Sequence, residues 1–241
     1  MGRADEFRPS NPAERFYDWR SDENAFCFYD KDMDARIPAP LPFKFLILRQ
    51  SIRITGVDKQ TNQQILSNEV RSVSKETLNV RLKDGNVLSS GFWSQIKEEV
   101  NAFGGHYTKI IYAMDADGNM ICLRIRGKGL QAWGDTVGKN QRRQRDEWIS
   151  VIEYGEDFYD EKPFSWPLFE FGGSLSKEMS QRGDELYEEL DAYYKEIENR
   201  AYQPAAAPSH APTASTTVTM PAPAQTATLP FAAEDDDDLP F

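Results

Sequence analysis

Cysteine and histidine are scarce in this chain, and so are the chemistries that depend on them. Of 241 residues, two are cysteine (Cys27 and Cys122) and two are histidine (His106 and His210). Two cysteines without metal-ligand spacing exclude a disulfide-stapled scaffold and a zinc site. Two histidines, one of them in a low-complexity segment, leave no plausible Ser-His-Asp or Cys-His constellation. No apolar run approaches the roughly 20 residues of a membrane helix. Residues 1–6 lack the apolar stretch of a secretory signal, and position 6 is Glu, so the myristoylation pattern fails as well. The expectation is a cytoplasmic protein without a membrane partner.

Two apparent motifs also fail. Asp115-Ala116-Asp117-Gly118-Asn119 has the look of a calcium loop, but its Gly stands fourth and Arg126 occupies the place of the bidentate Glu. Gly127-Lys128-Gly129 lacks the upstream Gly and the following Ser or Thr of a phosphate-binding loop. Neither a catalytic residue nor a metal or other cofactor is expected, and the chain reads as a non-enzyme.

The formal net charge of −11 argues at first against a nucleic-acid partner, because phosphate contacts need Lys and Arg. The charge is unevenly spread. Residues 1–40 carry six basic and nine acidic side chains, and residues 41–154 carry 17 and 12. Residues 155–200 carry five and 13, and residues 201–241 none and five. A basic middle is thus flanked by acidic attachments: an aromatic-rich N-terminal extension (1–40), a central domain (41–154), an acidic helical extension (155–200), an Ala/Pro/Thr linker (201–233) and an acidic tip (234–241). The linker cannot bury enough surface to offset backbone ordering and is expected to be disordered.

The fold class expected is mainly β (α+β): an OB-fold-like antiparallel barrel with one inserted helix, then a C-terminal acidic helix and a disordered tail. Residues 43–55 alternate as a long strand, with Leu46, Leu48, Ile52 and Ile54 on one face and Arg49, Ser51 and Arg53 on the other. Strands follow at 63–70 and 78–82, with a hairpin at Asp84-Gly85. Phe92, Ile96, Val100 and Phe103 recur at helical spacing before Gly104-Gly105. Strands at 107–114, 120–126 and 148–154 complete the domain. Strands, a helix, then two strands is the order of an OB-fold. On the acidic helix, Leu175, Met179, Leu186, Leu190, Tyr193 and Ile197 form an apolar stripe, with Gly183 as an expected break. The stripe reads as packing on the barrel, with self-association as the sharper alternative.

A two-residue turn at Asp117-Gly118 would pair residues whose numbers sum to 235. Lys109 then faces Arg126, Ile111 faces Arg124, and Tyr107 lies just beyond. Opposed cations cost stability in a sheet, and an anion would relieve them. Basic residues continue through Lys128, Lys139, Arg142, Arg143 and Arg145, interleaved with Trp133 and Trp148. Cations that track phosphates and rings that stack bases are what a single-strand-binding barrel needs. The candidate interface is therefore Arg49, Arg53, Trp93, Tyr107, Lys109, Arg124, Arg126, Lys128, Trp133, Lys139, Arg142, Arg143, Arg145 and Trp148. For any one aromatic, burial is the commoner fate. The six aromatics Phe16, Tyr17, Trp19, Phe26, Phe28 and Tyr29 are expected to pack on the barrel, with base stacking as the alternative, and residues 30–34 to form a solvated turn.

The chain ends Asp235-Asp236-Asp237-Asp238-Leu239-Pro240-Phe241. This closely resembles the tip of bacterial single-stranded DNA-binding proteins, where an acidic run and Ile-Pro-Phe follow a linker of small residues and proline. Here Leu239 stands in place of Ile. The strict resemblance covers about eight residues and its architecture about forty; the central domain looks more like the divergent bacteriophage members. The resemblance implies a protein that coats single-stranded DNA in replication or recombination. It further implies a tip that recruits replication and recombination proteins such as a polymerase, helicase, primase or nuclease, in the bacterial cytoplasm. Physically, Phe241 offers a ring and a carboxylate, Pro240 limits the conformations to be lost, and the aspartates suit a basic rim. The same tail can fold back on the basic face and compete with DNA. A protein-interaction or assembly protein, or an RNA-binding barrel, is the alternative.

Overall fold

The computed structural model describes residues 10–201. The linker from residue 202 onward and the tip at 234–241 lie outside the described residues. The strands in chain order are β1 (Arg15–Arg20), β2 (Ala25–Asp30), β3 (Ala35–Pro38), β4 (Phe43–Val57), β5 (Gln64–Ser67), β6 (Leu78–Leu82), β7 (Val87–Gly91), β8 (Gly105–Asp115), β9 (Met120–Ile125), β10 (Glu147–Tyr159) and β11 (Lys162–Ser174). Helix α1 (Trp93–Phe103) joins β7 to β8, α2 (Lys128–Thr136) follows β9, and α3 (Lys177–Ala201) follows β11. The fold is mainly β with helices, and its mixed sheet runs β3-β2-β1-β9-β8-β4-β5-β6-β7. None of the described helices is long and apolar enough to cross a membrane.

Strand β4 organises the sheet. One edge pairs with β8 from Phe45 to Gly56, while the other is divided between β10 at Phe43–Phe45 and β5 at Thr55–Val57. A bulge between Ile47 and Arg49 changes the parity, so Phe45, Gln50, Ile52 and Ile54 share one face despite the odd step between them. The N-terminal aromatics are strands: β1 pairs in parallel with β9, and β2 and β3 extend the sheet from it. Tyr17, Trp19, Phe26 and Phe28 enter or border the core as expected, whereas Phe16 and Tyr29 are exposed. At residues 30–34 the Asp30 carboxylate accepts from the amides of Asp32 and Met33, capping a solvated turn.

Three corrections concern the C-terminal half. The strand expected at 148–154 runs on to Tyr159 and returns as β11, so much of the expected helical extension is a β-hairpin. Helix α2 was not signalled by the pattern. Helix α3 is unbroken at Gly183, where a Cβ would stand 2.9 Å from Leu46 Cδ2. The glycine lets the helix approach the sheet and does not end it.

The β8–β9 register is the most consequential correction. Asp115 N donates to Asn119 O, and the Asp115 carboxylate accepts from the amides of Asp117 and Asn119 at 3.0 and 2.9 Å. That closes a three-residue loop with Gly118 at φ 84°, and opposed residues sum to 234. Every β9 side chain is thereby on the other face from the one expected. Lys109 opposes Ile125, and Arg124 opposes Ile110, so the opposed cations do not occur.

Both faces of this hairpin are buried over much of its length, which explains its continuous apolar character. Ile111, Ala113, Ile121, Leu123 and Ile125 join Phe45, Trp133 and Ile149 in one core. Tyr112, Met114, Met120 and Cys122 face the other way and are covered by Leu186 and Leu190 of α3. Polar contacts fasten the helix: Tyr194 Oη and Ser51 Oγ both donate to Glu69 Oε2, at 2.6 and 2.8 Å. The apolar stripe of α3 is thus engaged by the sheet.

Leu190 is fully buried beneath α3. Leu190→Ala is expected to destabilise the protein by about 2–5 kcal/mol in urea unfolding, the usual range for such a cavity. A loss below about 1 kcal/mol would mean that α3 is not docked as described.

Candidate nucleic-acid interface

Where α3 stops covering the sheet, the same face becomes polar. Residues opposed across strands share a face, so Arg53 and Thr55 of β4 lie with Thr108 and His106 of β8. Arg124 of β9 and Asp18 of β1, opposed in the register, continue the face. Asp18, Thr55, His106, Arg124 and Arg126 line an open groove, together with Lys59, Gly56 and Gly104.

The walls are fixed by local chemistry. Gly104 ends α1 in the left-handed region at φ 101°, and a Cβ there would lie 2.5 Å from Val57 O. In the β4–β5 turn, Asp58 Oδ2 accepts from Thr61 N and Oγ1 at 2.8 and 2.6 Å, which holds its carboxyl below the usual range. Lys59 N donates to Phe103 O, placing its side chain at the rim. On the floor, Thr55 Oγ1 and Thr108 Oγ1 share a hydrogen bond of 2.6 Å.

Charge in the groove is strongly one-sided. Lys59, Arg124 and Arg126 line it beside His106, with Asp18 as the acidic residue, ion-paired to Arg124. Arg53 and Arg124 each hold a buried Nε with no hydrogen-bond partner among the described residues. A buried donor without an acceptor is costly, and Arg49 Nε under α3 carries the same cost. Burial, followed by the charges of Arg126 and Lys59, pulls the His106 imidazole below its ordinary value of 6.5. The arrangement suits anion binding. No group of three or more His, Cys, Asp or Glu among the described residues could hold a metal.

The structure separates the residues that the sequence grouped. Arg53, Arg124 and Arg126 belong to the groove side. Arg49 is engaged under α3, with its guanidinium 3.6 Å from the Tyr194 ring centroid. Lys109 opposes Ile52 and Ile125 on the reverse face, where burial pushes its ammonium pKa down. Tyr107 packs there against Trp93 at 5.9 Å, and burial raises its hydroxyl pKa to about 12. Trp133 is 2% exposed, stacked on Phe45 and edge-on to Phe169; Trp93 is also core, and Trp148 packs beside Leu48 and Leu175. These rings are not placed to stack bases, because their faces are already covered by protein.

The remaining cations are dispersed. Lys128 pairs with Asp157 and lies over Trp166. Lys139 pairs with Asp135, and Arg143 with Glu147. Arg142 and Arg145 are exposed on the same loop, whose Gln144 bonds Gln50 on the reverse face of β4. Lys59, His106 and Thr55 line the groove without a signal in the sequence, with Thr108 buried beneath them. The register groups His106, Thr55 and Thr108 with the arginines, since Arg53 and Arg126 flank Thr108 once opposed residues sum to 234.

Fold and site together define a mainly β protein with a basic groove across its sheet. Comparison with protein-family models, with curated proteins and with solved structures finds no match, so the groove is read from its own chemistry.

Because the folded imidazole of His106 is depressed, the unfolded chain binds more protons there. Its contribution favours folding fully above pH 6.5 and is lost as pH falls from 6.5 through the folded value. An NMR titration should place the His106 midpoint below 6.5, and Arg126→Gln should raise it. An unchanged midpoint in that variant would remove Arg126 as a cause.

Proposed function

We propose that the protein binds and protects single-stranded DNA during replication or recombination, without catalysis and without a cofactor. The observation that carries the reading is the open groove lined by Lys59, Arg124 and Arg126, with Arg53 on the same face. A surface of this kind supplies the sequence-independent part of nucleic-acid affinity. The terminal Asp235-Asp236-Asp237-Asp238-Leu239-Pro240-Phe241 supports the same class, with the tip serving to recruit partner proteins.

An OB-fold-like topology fits this role. The order β4, β5, β6, β7, α1, β8, β9 is compatible with that of an OB-fold with one added hairpin strand, although these strands do not pair into a closed barrel. OB-folds are only partly closed. Here β1 occupies an edge of β9, and the sheet as paired stays open.

Fluorescence anisotropy with oligo-dT, duplex DNA and RNA over a salt series tests the reading. Single strands should be preferred, with affinity falling steeply as salt rises. Arg53→Gln and Arg126→Gln should each weaken binding several-fold and reduce the salt slope by about 0.7, the share of one phosphate contact on a single strand. Absence of binding to all three at low salt would exclude the function. Tighter binding to RNA would change the ligand.

A second reading, that of a protein-interaction protein, rests on the β10–β11 hairpin. Beyond Val151 it leaves β4 and projects to a two-residue turn at Asp160-Glu161, with φ of 50° and 63°. At its end Phe158 and Tyr159 are 71% and 78% exposed, and residues 152–162 carry five acids and one lysine. Such an arm suits a basic protein surface rather than a polyanion. Under this reading the chain self-associates in low-salt sedimentation, the Phe158→Ala/Tyr159→Ala variant stays monomeric, and oligo-dT is not bound. A monomeric wild type would count against it.

A further inference from the structure

We propose that single-stranded DNA crosses the sheet obliquely, from the Arg53 and Arg126 level of the groove toward the level of Cys122 on β9, and that β1 and β2 supply the stacking platform, Phe16 and Tyr29. This rests on the single-strand reading above and adds the path of the strand and the rings that meet its bases.

Among the described residues, no Phe, Tyr or Trp lines the groove. Tyr107, Trp93 and Trp133, the rings nearest to it in the sequence, are turned into the core. A strand whose phosphates lie on Arg53, Arg124 and Arg126 must find its stacking partners further along the same face. Register places them. Asp18 opposes Arg124 and Phe16 opposes Cys122, so Phe16 lies on the groove side of β1. Cys27 opposes Asp18, which puts Tyr29, two residues on, on the same side of β2, where it opposes Arg36 of β3. Alternation sends Tyr17, Trp19, Phe26 and Phe28 to the other face.

The two outward rings have no packing role that accounts for them. Phe16 is 40% exposed and Tyr29 is 55% exposed, and the Tyr29 hydroxyl donates to the Asp34 carboxylate, which fixes the ring at the surface. A solvated strand face of this kind is ordinarily polar. Here it alternates rings with arginines, since Arg124 and Arg36 flank the pair on β9 and β3. Aromatic faces between cations are what a sequence-tolerant single-strand site requires. From β4 through β8, β9, β1 and β2 to β3 the face spans five strand spacings, or roughly 24 Å. A track of that length suits the short end of the roughly 4–16 nucleotides that one such fold holds. The occupant is DNA by the resemblance of the tip, and the cations of the groove suit a polyanion.

The test uses the full chain with Phe16→Ala, Tyr29→Ala, Phe16→Tyr and Tyr29→Phe, each checked for an unchanged thermal unfolding curve. Oligo-dT, oligo-dA and oligo-rU are titrated by anisotropy over a salt series, with Arg126→Gln in parallel. Each alanine variant should bind oligo-dT about fivefold or more weakly with its salt slope unchanged, because stacking releases no counterions. The two conservative variants should bind within about twofold of wild type. If both alanine variants match a wild type that binds, the platform is overturned while the groove reading survives. If wild type binds nothing, the groove reading itself has failed. Tighter binding to oligo-rU, with both rings required, would overturn DNA as the occupant.

Discussion

The carboxylate of Asp115 decides which residues this molecule shows to solvent. By accepting from two loop amides it lengthens the β8–β9 connection to three residues, and the register of β9 follows. The two-residue turn would send Arg124 toward the core and bring Ile125 out opposite Ile110 in its place. No other small change would so completely exchange a basic groove for an apolar one. Asp115 is itself buried, so the bonds that hold the loop are shielded from competing water.

Helix α3 then divides the face that this register creates. Its apolar stripe covers Leu46, Tyr112, Met114 and Met120, and the Glu69–Tyr194–Ser51 contacts with the stacked Arg49 fix its second half. Only the stretch beyond the helix stays open. Sheet polarity changes at that boundary, from Ile110 and Tyr112 to Thr108 and His106 along β8. The groove is what remains of a sheet face after the protein has used the rest for its own stability.

Much of the fold was legible in local pattern. The alternation of β4, the helical spacing that ends at Gly104, and the two Gly turns each follow from short-range chemistry. The site was less legible, because a strand face is assigned only once the register is known. Arg53, Arg124 and Arg126 do share one side of the sheet; Lys109, one strand away, lies on the other, which the one-residue slip in register conceals. Trp133 and Trp93 were misjudged because a tryptophan between basic residues looks the same in sequence whether it is stacked on Phe45 or open to a ligand. Phe16 and Tyr29 were lost among six neighbouring aromatics, and only the pairing of β1 with β9 separates them from the four that turn inward. Gly183 resembled a helix break because nothing in the sequence shows that Leu46 approaches from the sheet.

The acidic character of the chain acquires a physical meaning from this geometry. α3 and the β10–β11 arm carry much of the negative charge, and both lie outside the groove. A polyanion is repelled from those surfaces and attracted along the cations that run from Lys59 to Arg36, so the charge distribution orients it before contact. Asp18 is the exception inside the track. Its pairing with Arg124 keeps that guanidinium extended across β1 and β9 when no other anion is present, at the expense of competing with a phosphate for the same nitrogens. Arg124 is therefore preorganised and partly occupied at once: a phosphate that displaces Asp18 meets a guanidinium already held on the groove side.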